Sequence, residues 1–357
     1  MPTEVEAPIR EWVADTVRTR WLGARVAHID PLKGDASTRR FWRVTLDRVN
    51  SDTPSSAIAI DLGPDDLPLY ARALNLIPEP LVETPWLNLH RFLSAIGAPV
   101  PELYHADPNE RMLLVEDVGS LPLFEAAAHG DAADLYRLAA DQLLKLHLDG
   151  TRRLDSDCMA SQLAYDARLF RWELEQFVEY GIGTIGTHAR RAALVPELDG
   201  LAARLGAYPR VFSHRDFHGH NLFLQYRTDA DNQAAPRLRI IDFQDALMAP
   251  AAQDLAVLLT TRDTSRIITP RIEQRVVEYY YAAMMRRGEA GLAANDFFES
   301  YWLCVLQHAL KVIGRFIYLE REGKPGYSVY VPYAIAQARR ALTHLGGFPI
   351  LRAAVGD

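Results

Sequence analysis

The 357-residue chain is long enough for two lobes and a sizeable core, and its 49% hydrophobic and 24% charged residues suit a soluble globular protein. A formal net charge of −7 without any basic run excludes nucleic acid as an expected partner, because neutralising phosphates takes a concentrated cationic face. Two distant cysteines, Cys158 and Cys304, lack metal-ligand neighbours; they exclude a disulfide framework or zinc site and point to a reducing cytoplasm.

The N-terminal Met1-Pro2-Thr3-Glu4 has no basic-then-apolar pattern, so no signal peptide is expected. Glu11–Leu22 reads as an opening helix. Val26–Ile29 and Phe41–Leu46 read as strands flanking Lys33-Gly34-Asp35-Ala36-Ser37-Thr38, and Ser56–Leu62 as a third strand rich in small and β-branched residues. Leu89, Phe92, Leu93 and Ile96 fall on one face of a helix over Trp86–Ile96. Met112–Val115 is an apolar strand that breaks at Glu116-Asp117-Val118-Gly119, as a crossing between lobes would.

Beyond Gly119 the spacing becomes helical. Leu135, Leu138, Leu143 and Leu146 line a helix that ends near His147, and Leu163–Tyr180 is amphipathic. Arg210–Ser213 and Leu222–Leu224 read as short strands on either side of a loop. The polar run Arg227–Pro236 reads as a hairpin turn, after which Leu238–Ile241 returns as a strand ending at Asp242. Asp254–Leu259 is a buried helix, Ile272–Arg287 another helix, and Trp302–Glu322 a long apolar one. No stretch reaches the roughly 18 apolar residues that cross a bilayer, so no membrane partner is expected. The fold class is therefore α+β: a strand-rich N-lobe over residues 1–118 and a helical C-lobe over residues 119–357.

The loop His214-Arg215-Asp216-Phe217-His218-Gly219-His220-Asn221 and the later Ile241-Asp242-Phe243-Gln244-Asp245 carry the chemistry. Phosphoryl transfer from ATP needs a carboxylate to orient and deprotonate the acceptor hydroxyl, and oxygen ligands for the magnesium that neutralises the phosphates. Asp216 fits the first role, a general base. Asn221, five residues on, and Asp242 fit the second, since both offer oxygen to a hard cation. His214 reads as a brace of this loop, and Asp254 as a helix cap or a second support for it. Asp245 faces either substrate or solvent.

The nucleotide side departs from the kinase pattern of a glycine-rich loop and a third-strand lysine. The loop holds one glycine, Gly34, and the third strand ends Ile60-Asp61. The chain's four lysines, Lys33, Lys145, Lys311 and Lys324, all lie elsewhere. Backbone and hydroxyl donors around Ser37 and Thr38 would then meet phosphate. Arg39, Arg40 and Arg43 follow at once, and Arg39 and Arg43 share a strand face. One of them replaces the lysine, or they are solvated strand charges. Adenine would bind most simply at the backbone of Glu116 to Val118.

The spacing His214-x-Asp216-x4-Asn221 with Asp242, together with Leu143-x2-Leu146-His147 and Asp254-Leu255-Ala256, resembles the aminoglycoside phosphotransferase and choline kinase superfamily. That resemblance implies a protein-kinase-like bilobal fold, with ATP and Mg2+ as cofactors. Asp35-Ala36-Ser37-Thr38-Arg39-Arg40-Phe41-Trp42-Arg43-Val44, Asp242–Ala246 and the helix Gln307-x2-Leu310-Lys311-Val312-x-Gly314-x-Phe316 are similar to bacterial anomeric sugar kinases. These include N-acetylmuramate/N-acetylglucosamine kinases of cell-wall recycling, which phosphorylate the C1 hydroxyl of a small-molecule sugar. The chain departs from that group at His308-Ala309, where an asparagine is frequent, and at Phe217-His218-Gly219-His220. Lys311, a rare cation on an apolar helix, either contacts substrate or pairs with a buried carboxylate. A kinase for an aminoglycoside or amino-alcohol is the alternative. A catalytically silent nucleotide-binding protein is a third reading, favoured only by the absent lysine. The oligomeric state is left open.

Overall fold

The computed structural model describes residues 6–33, 38–47, 52–64, 67–77, 81–109, 111–182, 191–228, 234–287 and 292–355. Two compact units emerge: residues 1–68 with 100–120, and residues 69–99 with 121–357.

The first unit is an antiparallel sheet with one helix. Its strands β1 (Arg25–Leu32), β2 (Arg40–Asp47), β3 (Ser56–Asp61), β4 (Leu103–Asp107) and β5 (Met112–Glu116) lie in the order β1-β2-β3-β5-β4. Strand β2 alternates, with Trp42, Val44 and Leu46 turned to the core between less buried neighbours. Helix α1 (Ala7–Arg20) starts at a proline in its first turn and buries Ile9, Val13, Thr16 and Val17 at helical spacing. These two stripes meet over the small Ala57 and Ala59 of β3 in one apolar cluster, edged by Trp21 against Tyr104 at 5.0 Å. The sheet pairing sets Ala57 opposite Glu116, so β5 ends where Asp117 and Gly119 begin the exit from the unit. Gly34, Asp35, Ala36 and Ser37 lie outside the described residues.

The second unit is mostly helical. It begins with α2 (Leu69–Ala73) and α3 (Pro85–Ala95), in a segment the sequence reading placed in the N-lobe. Helix α3 is anchored by Asn88, whose amide donates to the Asp157 carbonyl (2.8 Å) and accepts from Met159 N (2.8 Å). Phe92 packs on Phe212 and Trp86 on Phe243, so the helix is tied to both ends of the central loop region. Helices α4 (Leu123–His129), α5 (Ala132–Arg153), α6 (Ala167–Gln176) and α7 (Arg191–Gly206) follow, with a π-helical turn over Phe177–Gly181. Two small antiparallel ribbons come next: β6 (Arg210–Ser213) with β9 (Leu247–Pro250), and β7 (Leu222–Thr228) with β8 (Ala234–Ile240). Helices α8 (Ala252–Thr260), α9 (Pro270–Arg286), α10 (Ala294–Arg321), α11 (Val331–His344) and α12 (Pro349–Val355) complete the unit.

Helix α10 runs 28 residues and is apolar enough over one 18-residue window to pass as a membrane span, contrary to the sequence expectation that no stretch would. That window is 72% buried inside the protein, so the apolar residues form the helical core of this unit. A close approach fixes its position. A Cβ on Gly314 would meet the backbone of Gln176 and Phe177 at 2.3 Å, which only glycine avoids.

Candidate active site

The central loop joins β6 to β7 and is built by hydrogen bonds to its own backbone. Arg215 takes a left-handed conformation (φ 76°). Amide His218 N then closes on the Asp216 carbonyl at 3.0 Å, and Asn221 N on the His218 carbonyl at 2.8 Å. Gly219 permits the second turn, because a Cβ there would sit 3.1 Å from Phe124 and from the Tyr136 hydroxyl. The Asn221 side chain donates to the Asp216 carbonyl (3.0 Å) and lies 3.4 Å from Asp242 Oδ2. Asp242 also has a positive φ, 64°, and accepts from Gln244 Nε2 at 3.0 Å. Asp216, Asn221 and Asp242 therefore come together as the spacing implied.

Two buried supports hold the loop. The His214 ring donates from Nε2 to the Ile241 carbonyl at 3.0 Å, linking the two halves of the motif. Asp254, fully buried, accepts from both His214 N and Arg215 N at 2.8 Å and from His147 Nε2 at 3.1 Å. Its carboxylate is thus a brace for the loop backbone. His147 is in turn held by the Tyr280 hydroxyl.

Around Asp216 lies a charge network centred on Glu173 of α6, a residue the sequence reading missed. Glu173 accepts from Lys311 (3.0 Å), Arg215 (3.0 Å), Gln307 (3.1 Å) and the Tyr165 hydroxyl. Arg215 also pairs with Asp245 at 3.2 Å and lies 4.4 Å above the Tyr70 ring. Lys311 accordingly pairs with a buried carboxylate, one of its two expected roles, and Asp245 is engaged by a guanidinium. Burial works against the Glu173 charge, but Lys311 and Arg215, with the Tyr165 hydroxyl, bring its carboxyl down to about 2. Asp216 is also held below the ordinary carboxylate range: burial opposes this, and Arg215, Lys311, His218 and His214 outweigh it. Burial, with Arg262 nearby, drops the His218 imidazole to about 3. A charged Asp216 can accept a hydroxyl proton.

An aspartate suits magnesium, which keeps several waters and binds substrate phosphates as well as one or two carboxylates; Asn221 turns its amide Nδ2 to Asp242, and the amide would turn over for its oxygen to join such an ion. Among the described residues no group of three or more His, Cys, Asp or Glu could hold a metal, so such an ion would draw its remaining ligands from water and substrate. Asn221 and Asp242 fit that partial coordination.

In the first unit, Arg43 pairs with Asp117, just past the end of β5, Nε to Oδ2 at 2.7 Å and Nη2 to Oδ1 at 3.1 Å, and donates to the Gly119 carbonyl at 3.2 Å. Asp61, standing where a lysine was expected, pairs with Arg40 at 2.7 Å. Glu116 is tied to Glu102, N to O at 2.8 Å, and Val118 is buried. Thr38 is exposed and Arg39 half-buried, while Ser37 lies outside the described residues.

Residues 28–291 match the model of the phosphotransferase enzyme family. The chain is 29% identical to an N-acetylmuramate/N-acetylglucosamine kinase of Caulobacter vibrioides, over 85% of this chain and 84% of that one. A protein of the same name from Pseudomonas putida is 30% identical over 70% of each chain. Among solved structures, the choline kinase of Streptococcus pneumoniae superposes with a TM-score of 0.57 at 13% identity, covering 94% of this chain and 98% of that one. Such low identity speaks for the fold, a kinase-like pairing of a strand-rich N-terminal sheet with a helical C-terminal region. The chain belongs to the phosphotransferase enzyme family, and it is an ATP-dependent phosphotransferase with an alcohol group as acceptor.

Proposed function

We propose that this enzyme is a sugar kinase that transfers the γ-phosphoryl group of ATP to the anomeric C1 hydroxyl of N-acetylmuramate or N-acetylglucosamine, giving the sugar 1-phosphate. The observation that carries the reading is the charged Asp216 beside Asn221 and Asp242 in the second unit. The names of the Caulobacter vibrioides and Pseudomonas putida relatives support the sugar. The similarity of residues 35–44 to the loop of anomeric sugar kinases supports C1 as the acceptor position.

Asp216 orients the sugar hydroxyl and takes its proton as the oxygen attacks the γ-phosphorus and the bond to the leaving ADP breaks. Arg215 and Lys311 keep Asp216 ionised without pairing with it, because Glu173 and Asp245 hold them. Magnesium bound by Asn221 and Asp242 would neutralise phosphate charge. In the first unit, Ser37, Thr38 and Arg39 contact the phosphates, and the backbone of Glu116 to Val118 holds adenine. Arg43 acts on the same nucleotide by fixing Asp117 and Gly119. The two buried free thiols, Cys158 and Cys304, agree with a cytoplasmic place for an ATP-consuming enzyme.

The test is incubation with Mg-ATP and each of these sugars, choline and an aminoglycoside, with the phosphate located by ³¹P NMR. A sugar 1-phosphate is the expected product. Phosphate on choline or the aminoglycoside, or on another sugar hydroxyl, overturns the reading.

A further inference from the structure

Lys311 is followed one helical turn later on α10 by a second cation, Arg315, on the same face. Gly314 between them is locked against the backbone of Gln176 and Phe177, so this face is held in a fixed place. Tyr318 continues the stripe: the Arg315 guanidinium lies 5.4 Å from its ring, and that ring packs on Tyr180 at 5.2 Å. The three cations around Glu173 differ in one respect. Lys311 is matched by Glu173, and Arg215 by Glu173 and Asp245. Among the described residues no carboxylate pairs with Arg315.

Arg315 is also half-buried, where an unmatched charge is costly. Burial holds its guanidinium below the ordinary range. Arg215 adds to this, whereas Tyr318, Tyr327 and Glu173 act in the opposite direction. Arg215 neighbours the base Asp216 in the chain, so Arg315 stands within electrostatic reach of the catalytic loop. A planar cation in this setting is built to accept a carboxylate through paired hydrogen bonds.

The two sugars of the proposed function differ in one ionisable group, the lactyl carboxylate that N-acetylmuramate carries and N-acetylglucosamine lacks. We propose that Arg315 is a specificity-determining residue that binds this carboxylate and so favours the acidic sugar; the inference rests on the sugar-kinase reading above. A cation aimed at a carboxylate helps one acceptor selectively, while a cation aimed at a nucleotide phosphate helps both alike.

Steady-state kinetics of the full chain with both sugars at saturating Mg-ATP separate these cases. In Arg315→Gln, the ratio of kcat/KM for N-acetylmuramate over N-acetylglucosamine falls about 10- to 100-fold, the scale of one partly buried charge-assisted contact, and the loss appears in KM. Arg315→Lys keeps a point charge without the fork and loses less. An unchanged ratio in both variants overturns the proposal, as does a raised KM for ATP with either sugar. Wild-type enzyme that turns over neither sugar overturns the sugar reading itself, and that result is visible before any variant is made.

Discussion

Asp216, Glu173 and Asp254 are three acidic side chains near one loop, and their surroundings give them three different tasks. Asp216 is charged and half-buried beside Asn221, with cations near it but turned to other acids. Asp216→Asn removes the proposed proton acceptor with little change in shape, and we expect kcat to fall by about 10²–10⁴. Full activity in this variant would sink the mechanism. Asp254 serves two loop amides and His147 from a fully buried position. Asp254→Ala strands those donors, with an expected loss of about 3–5 kcal/mol in denaturant unfolding. Glu173 links pH to stability. Its folded carboxyl is brought down to about 2, from an ordinary glutamate value of about 4.5. A depressed group stabilises the fold above its unfolded pKa, and that contribution is lost as pH falls from about 4.5 towards 2. The full effect is on the order of 3 kcal/mol. Unfolding measured between pH 7 and pH 3 should show the decline begin near pH 4.5, and Glu173→Gln should flatten that part of the curve. That Asp216, Asn221 and Asp242 would meet was legible in the sequence, because the first two share one loop and the strand returning from the hairpin ends at the third. Glu173 was hidden, since one glutamate in an amphipathic helix rich in charges gives no sign that it will turn inward to Lys311, 138 positions away.

At the level of elements, α10 supplies Gln307 and Lys311 to Glu173 and carries Arg315 one turn further on. Its contact with α6 at Gly314 sets where those side chains stand. Gly314→Ala would drive a methyl into the backbone of Gln176 and Phe177, and neither backbone can rotate away. We expect a cost of about 3 kcal/mol or more, since overpacking against side chains alone costs about 1–3. Turnover should fall as well, because separating α10 from α6 also separates Lys311 from Glu173. Thermal unfolding checks the first part and kinetics at permissive temperature the second. Periodic elements expected from the sequence are present: β2, β3, α3, β5, β6 and α8 lie within a few residues of expectation, while α5 runs six residues past His147, to Arg153. The opening helix begins at Ala7, four residues earlier than expected, because Pro8 fits a first helical turn. Helix α7, with Pro196 inside it, gives little sequence signal, and the edge strand β4 with its bulge gives no clean alternation. The grouping of α3 with the second unit depends on Asn88 meeting residues about 70 positions away, which no local pattern encodes.

For the molecule as a whole, ligand binding and stability are linked, because a ligand that binds the folded chain alone raises its melting temperature. Each unit contributes groups of its own to the proposed reaction, and this linkage can tell their contributions apart. A non-hydrolysable ATP analogue with magnesium should raise the melting temperature more than the analogue alone, by the share that passes through Asn221 and Asp242. Asp242→Ala should lose that magnesium-dependent share while keeping the nucleotide-only rise, because the proposed adenine contacts are in the first unit. Arg43→Ala should show the reverse: it frees Asp117 and Gly119 and shrinks the nucleotide-only rise while leaving the magnesium increment in place. If Asp242→Ala retains the full magnesium increment, Asp242 is not the metal ligand. If Arg43→Ala binds nucleotide as the wild type does, the Arg43–Asp117 pair serves the fold of the first unit and not its ligand. The two variants thus test the metal and the nucleotide contacts independently, without any measurement of turnover.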